Sequence, residues 1–451
     1  MMSNKILSIL YISAPFAVFS LTANAAGSLP IEFTGIEHKA IEVIPDASTG
    51  LSAVYVLNST VNASFQVASS QNVTVATFAN LGAAYAEEII PEKNGDSYRV
   101  AHIEPNRGYV ITVGSSNHYI WIVDYSKFEP EIHSVGVSSE SDCSTVILDI
   151  NGQAAAIPYY SINGQKLELD RDIEVGYNTL EYAAESGMFV EKRESKSFSH
   201  AGEHLYLDAP LCNTEFTVSC DRFLKEWGLP EVTSTSSYYN AVAVDAYTSA
   251  EQSTVTADNE QGGDSDGLGG SAPCEVTFRA AVSDAAIFRE WQLSHDSDFN
   301  DIFYRDSNLD FTYTFQEEGT TYVRFTASND AATCDYYGAP YEVSIGSSAL
   351  VCPNAFSPGS SEGINDIWKV SFKSIVNFEC HIFNRWGICV AHFTNPSDGW
   401  DGKYKGKLAP AGVYYYVIKA KGADGKNYNL KGDINIINHK KRQQGLVSGN
   451  E

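Results

Sequence analysis

The chain has 451 residues, of which 43% are hydrophobic and 12% aromatic, and it carries a formal net charge of −26. At roughly 100 residues per β-sandwich, that length holds three or four such units, each with enough apolar residues for a packed core. Residues 1–350 carry 17 Lys+Arg against 48 Asp+Glu while residues 351–451 carry 13 against 8, and an acidic body excludes nucleic acid as a partner, which needs a basic footprint.

The N-terminus reads as an export signal. Lys5 gives a positive start, residues 6–21 form an apolar run interrupted by Pro15, and Ala23 and Ala25 are the small residues a signal peptidase reads. Residues 1–25 are therefore expected to be a cleaved signal peptide; the run is short for a bilayer span. Behind it, the eight Cys at 143, 212, 220, 274, 334, 352, 380 and 389 are expected in an oxidising compartment. No CxxC and no zinc-type Cys/His spacing occurs among them. Pairing by position along the chain gives Cys143–Cys212, Cys274–Cys334 and Cys352–Cys380, with Cys220 and Cys389 left as thiols.

Residues 26–127 predict a first sandwich. Val54 and Val56, Phe65 and Val67, Val73 and Val75, Tyr98 and Val100, and Tyr119, Trp121 and Val123 alternate with polar or small neighbours. A period of two puts one set inward and the other into water. Asn94-Gly95 marks a hairpin, since both central positions of that turn favour positive φ. Residues 128–213 predict a second, Ig-like unit. Strands at 146–150, 158–162, 166–169, 173–177 and 205–207 are separated by Asn151-Gly152 and Asn163-Gly164 turns. Residues 214–348 predict a third unit, interrupted by a Gly-, Ser- and Asp-rich stretch at 257–273 read as a flexible loop. Trp291 is its expected core anchor, and the run 311–325 resembles the late strands of PKD-like modules, which implies a spacer or interaction unit.

The last unit, residues 349–441, carries five ordered motifs. They are Asn354, Phe356 and Pro358 before Asn365 and Asp366; Asn384, Arg385, Trp386 and Gly387; Gly399, Trp400, Asp401 and Gly402; Gly412 and Tyr414 in an aromatic strand; and Gly432 opening the final strand. Trp386 and Trp400 are expected to pack together over the open end of this sandwich, because large aromatics bury the most area. The series resembles the gliding motility-associated C-terminal domain, the type B sorting domain of the Bacteroidota type IX secretion system. That resemblance implies recognition by the type IX translocon, and an association with a small outer-membrane barrel partner. Its first loop departs from the family's Asn-Gly-Asp-Gly-like turn, and a polar tail, 442–451, runs past the usual end.

Catalytic patterns are missing from the sequence. There is no Gly-x-Ser-x-Gly elbow, His-Glu-x-x-His or phosphate loop. Glu87-Glu88 and Glu317-Glu318 read as loop carboxylates, His381 and His392 as strand-face residues. Asp264 and Asp266, and Asp296, Asp298 and Asp301, read as solvated turns instead of calcium loops. No cofactor and no metal is expected. The whole is expected to be all-β: tandem Ig-like and PKD-like sandwiches ending in a sandwich sorting domain. Its expected role is non-enzymatic, at the cell surface after signal-peptide cleavage, binding a glycan or protein ligand. Two rival readings are a secreted hydrolase with its catalytic residues in 27–213, and a structural subunit of a surface or motility filament.

Overall fold

The computed structural model describes residues 29–81, 86–253, 257–261, 267–359 and 365–437. The expected signal peptide, the tail, and Asp264 and Asp266 lie outside these residues. The fold is nearly all β, in four successive units, each with its own sheets. The all-β expectation holds.

In the first unit, a four-stranded sheet faces a six-stranded one. The six-stranded sheet contains Ala53–Leu57 paired in parallel with Ser116–Asp124, which also pairs antiparallel with Arg107–Val113. Tyr55, Leu57, Ile120 and Ile122 point into the sandwich core, with Phe65, Val67 and Tyr109. Their neighbours Val54, Val56, Trp121 and Val123 point to the opposite face, which is also buried. That second face is covered by the next unit: the hairpin Ile157–Tyr160 with Lys166–Leu169 packs there, as does the short helix Arg222–Glu226 through Phe223.

The second unit pairs a three-stranded sheet with a four-stranded one that includes Thr217–Cys220 and Val232–Thr235. Its core joins Val146, Leu148, Val175 and Leu207 with Phe216 and Val218. The division expected between residues 213 and 214 therefore falls inside this unit, because the last two strands complete its second sheet. Arg171 and Asp221 form a fully buried ion pair at 2.6 Å. Tyr125 of the first unit donates its hydroxyl hydrogen to Asp221 Oδ1 at 2.9 Å, and burial followed by the nearby Asp221 charge pushes that phenol upward. Asp221 Oδ1 also accepts from the backbone of Phe223 and Leu224 at the start of the helix. A buried charge stays in place only when paired and hydrogen-bonded, as here.

The third unit is built round Trp291, which is fully buried against Phe278, Phe311 and Phe325. The stretch expected as a flexible loop is tied down on both flanks. Asn259 Nδ2 donates to the carbonyls of Val370 and Pro396 at 2.7 and 2.8 Å, and Glu260 bridges to Phe372. Leu268–Gly270 pairs in parallel with Tyr341–Ile345. Polar composition records local preference only; here the polar groups find partners on the fourth unit. Ser374 of that unit donates its hydroxyl to Gly346 at 2.7 Å and takes Ser271 Oγ on its own N–H at 2.8 Å.

The cysteine pairing departs from expectation. The disulfide is Cys143–Cys334, across 191 residues of sequence, joining the second unit to the third. Pairing by position within a unit could not anticipate a bond between a loop before Thr145–Gln153 and the turn after Gly319–Ser328. Cys212 and Cys274 are buried thiols, and Cys352 and Cys380 are likewise unpaired. Burial pushes the thiols of Cys220 and Cys380 up to about 12, which leaves them unreactive. Cys389 is free and exposed.

Candidate functional site

The fourth unit is a five-stranded sheet in the order Ala355–Phe356, Asn427–Ile436, Gly412–Gly422, Ile375–Phe383, Cys389–Phe393. Its core is a separate apolar cluster that includes Phe356, Trp368, Phe378, Ile382, Trp400, Tyr414, Ile418 and Ile434. Of the motif residues, Phe356, Trp400 and Tyr414 belong to this core. Trp400 lies against Phe356 at 5.4 Å and edge-on to Tyr414 at 5.0 Å between ring centroids. Its indole N–H donates to Lys403 O at 3.0 Å. Trp368 and Trp400 exchange backbone hydrogen bonds, each of 2.9 Å. Gly399 is required beside that bridge, since a Cβ there would come 2.7 Å from the Trp368 carbonyl oxygen. Gly402 takes φ +73° beneath Pro358, a left-handed turn that suits glycine. Asp401 stays outside and binds Lys403 through both backbone N–H and side chain.

The remaining motif residues close turns and edges. Asn354 lends its carbonyl to Asn435 N–H at 2.9 Å, holding the first strand to the last. Asn365 accepts from Ser357 N–H at 2.9 Å, and Asp366 Oδ1 from Gly359 N–H at 3.1 Å, so the first loop is pinned at both ends. Gly412 opens the aromatic strand, Tyr414 donates its hydroxyl to Pro410 O at 3.1 Å, and Gly432 lies opposite Tyr416.

The Asn384–Gly387 turn behaves differently. Asn384 Oδ1 accepts from the N–H groups of both Trp386 and Ile388 at 3.0 Å. Gly387 closes the turn at φ +75°. The turn holds Trp386 out in solvent, 71% exposed, with the Arg385 guanidinium 4.2 Å from its ring centroid. The expected packing of Trp386 on Trp400 is thus wrong: Trp400 is buried, and Trp386 points away from that core. Both sit in Gly-flanked turns, so sequence context could not separate them. Arg385 and Trp386 instead line a groove of about 360 Å³ whose other wall is formed by Lys407, Leu408, Pro410 and Val413.

Elsewhere the carboxylate loops serve themselves. Asp296 accepts from the N–H groups of Asp298, Asn300 and Asp301, which lowers its carboxyl below the usual range. Asp301 is hydrogen-bonded to His295. One constellation that sequence reading left apart is brought together: Glu379, His381 and His392 meet on the solvent face of the fourth unit. Only the strand register places His392 across from His381.

In the family comparison, a CHU_C Type IX secretion signal domain matches residues 350–436, the span that holds the motif series. Residues 350–436 are a type IX secretion signal domain. A fibronectin type III domain matches residues 134–236, the full second unit including the strands after residue 213. Both are non-catalytic kinds of domain. No curated protein matches the chain. Among solved structures, a tetra-tandem repeat from the extending region of a large adhesion protein is 13% identical, with TM-score 0.21, covering 84% of this chain and 96% of that one. The chicken CNTN1 FN1–FN3 domains are 11% identical, with TM-score 0.22, covering 67% and 98%. A calcium-stabilised adhesin with which an Antarctic bacterium binds ice is 12% identical, with TM-score 0.17, covering 89% and 100%.

Proposed function

We propose that this is a secreted cell-surface protein, carried out of the cell by its type IX secretion signal domain, whose three upstream units act outside by contact. The observation that carries the reading is the signal domain at residues 350–436, together with the pair its core does not use. Every other aromatic of the motif set is folded into the unit, whereas Arg385 and Trp386 are held outward by a capped turn. Trp and Arg are among the residue types enriched where a few side chains dominate a protein contact. We assign the groove they line to recognition by the type IX translocon or its small outer-membrane barrel partner. In the upstream units, Ile287, Phe288 and Tyr337 expose apolar surface round an open depression of the third unit, which suits a protein or glycan ligand. The mode of action is binding or adhesion through these surfaces, with no bond chemistry.

Surface localisation tests this with three forms: the full chain, the chain lacking residues 349–451, and the R385A/W386A double variant. The full chain reaches the surface; the truncated chain and the double variant accumulate in the periplasm, the latter with an unchanged melting temperature. Surface display of the truncated chain overturns the export reading. Display of the double variant at the full level removes the groove from it.

A further inference from the structure

In the fourth unit, Ile375–Phe383 runs antiparallel to the edge strand Cys389–Phe393, with His381 directly opposite His392. Alternation sends Phe378, Cys380 and Ile382 into the core. It sends Glu379 and His381 to the other face. The two imidazole rings stack with centroids 4.3 Å apart and planes at 18°. Glu379 Oε1 lies 3.1 Å from His381 Nε2 and 3.4 Å from His392 Nε2. All three donor atoms fall within 4.8 Å of one another, and all three side chains are partly exposed. Lys419 lies across from Glu379, and Val417 across from His381, on the neighbouring strand.

We propose that Glu379, His381 and His392 form a surface site for a late first-row divalent ion of the Zn2+ class. The donor set decides the class. Two imidazoles and one carboxylate suit zinc, copper and nickel. Calcium and magnesium call for more oxygens than this face offers. Zinc bonds of about 2.0–2.2 Å require the three donors to close round a common point. Their present spacing lets exposed side chains do so by small rotations, while the paired strands fix the backbone on both sides. The ion then ties the edge strand to its neighbour, and its remaining positions face solvent. The other His–carboxylate pairs, His204 with Asp149 and His295 with Asp301, bring two donors each.

The test is calorimetric titration of the untagged full chain with Zn2+, followed by Co2+ titration read through its visible absorption. One saturable site per chain with micromolar affinity is expected. H381Q and H392Q each weaken it by at least about tenfold. H204Q, H295Q and C389S leave it unchanged, the last excluding the exposed thiol as the ligand. Circular dichroism melts confirm that the variants fold, because all the altered side chains are partly exposed. Absence of saturable binding in the wild type overturns the site, as does binding that survives the H381Q/H392Q double change or disappears in C389S.

Discussion

At the scale of single residues, the two tryptophans of the export domain separate folding from contact. Trp400 fills the core between Phe356 and Tyr414, with its indole N–H satisfied. Truncating it to Ala removes a fully packed aromatic and is expected to cost about 3–5 kcal/mol. The W386A change, at a ring that touches chiefly Arg385 and water, is expected to stay within about 0.5 kcal/mol. Urea denaturation of the two variants gives both numbers in one experiment. A large loss in W386A means that the ring has a hidden structural partner. The comparison also marks a limit of sequence reading. Both residues sit in short Gly-flanked motifs, and both were legible as special. Which one is buried depends on Trp368, Phe356 and Tyr414 arriving from distant segments, and no local pattern records that.

At the scale of elements, alternation located many of the strands but not Glu131–Val137, Met188–Phe198 or Ala246–Gln252, and it said nothing of what covers the second face of a sheet. In Ala53–Leu57 all five residues are buried, although alternate positions of a one-sided sheet should be wet. The outward set, Val54 and Val56, is covered by a hairpin and a helix that the sequence places in later segments. The Asn163-Gly164 turn of that hairpin was readable; its docking site was not. The Arg171–Asp221 pair sits at the same junction with Tyr125. Replacing Arg171 by Met strands the Asp221 carboxylate in a dry site and is expected to cost about 3–5 kcal/mol. Because Tyr125 belongs to the first unit, the loss should appear as earlier, joint melting of the first two units by calorimetry. Melting of the second unit alone would mean that the junction does not couple them.

At the scale of the whole molecule, the four units are joined by chemically different seams. Between the third and fourth, Asp424 accepts from Ser348 Oγ at 2.7 Å, and that bond, more than any other contact, draws its carboxyl below the usual range. A carboxyl with a lowered folded pKa adds stability above its unfolded value of about 3.9, and loses it as the pH falls through the folded one. Protection of the amides at residues 346–349 and 422–426, taken relative to the intrinsic exchange rate at each pH, should therefore be high at neutral pH and fall in acid as Asp424 is protonated. An S348A variant should exchange faster at neutral pH and change less on acidification. Equal acid sensitivity in S348A would remove Asp424 from the seam. The second and third units are joined by Cys143–Cys334. The C143S/C334S variant is expected to lose about 2–4 kcal/mol. A protease nick after the exposed Tyr238 should leave two fragments that separate on a denaturing gel only after reduction. Separation without reductant would contradict the crosslink.

That crosslink also sets a timetable. As the chain is made, Cys143 appears 191 residues ahead of its partner, and Cys212, Cys220 and Cys274 all emerge in the interval. In the finished protein those three are hidden while the Cys143 position faces solvent. Closure of the second and third cores before oxidation is expected to hide those three thiols and leave Cys143 for Cys334. Slow-folding mutants such as those weakening the Phe216 or Trp291 packing should be detectable first as scrambled thiol pairings, before any loss of secondary structure.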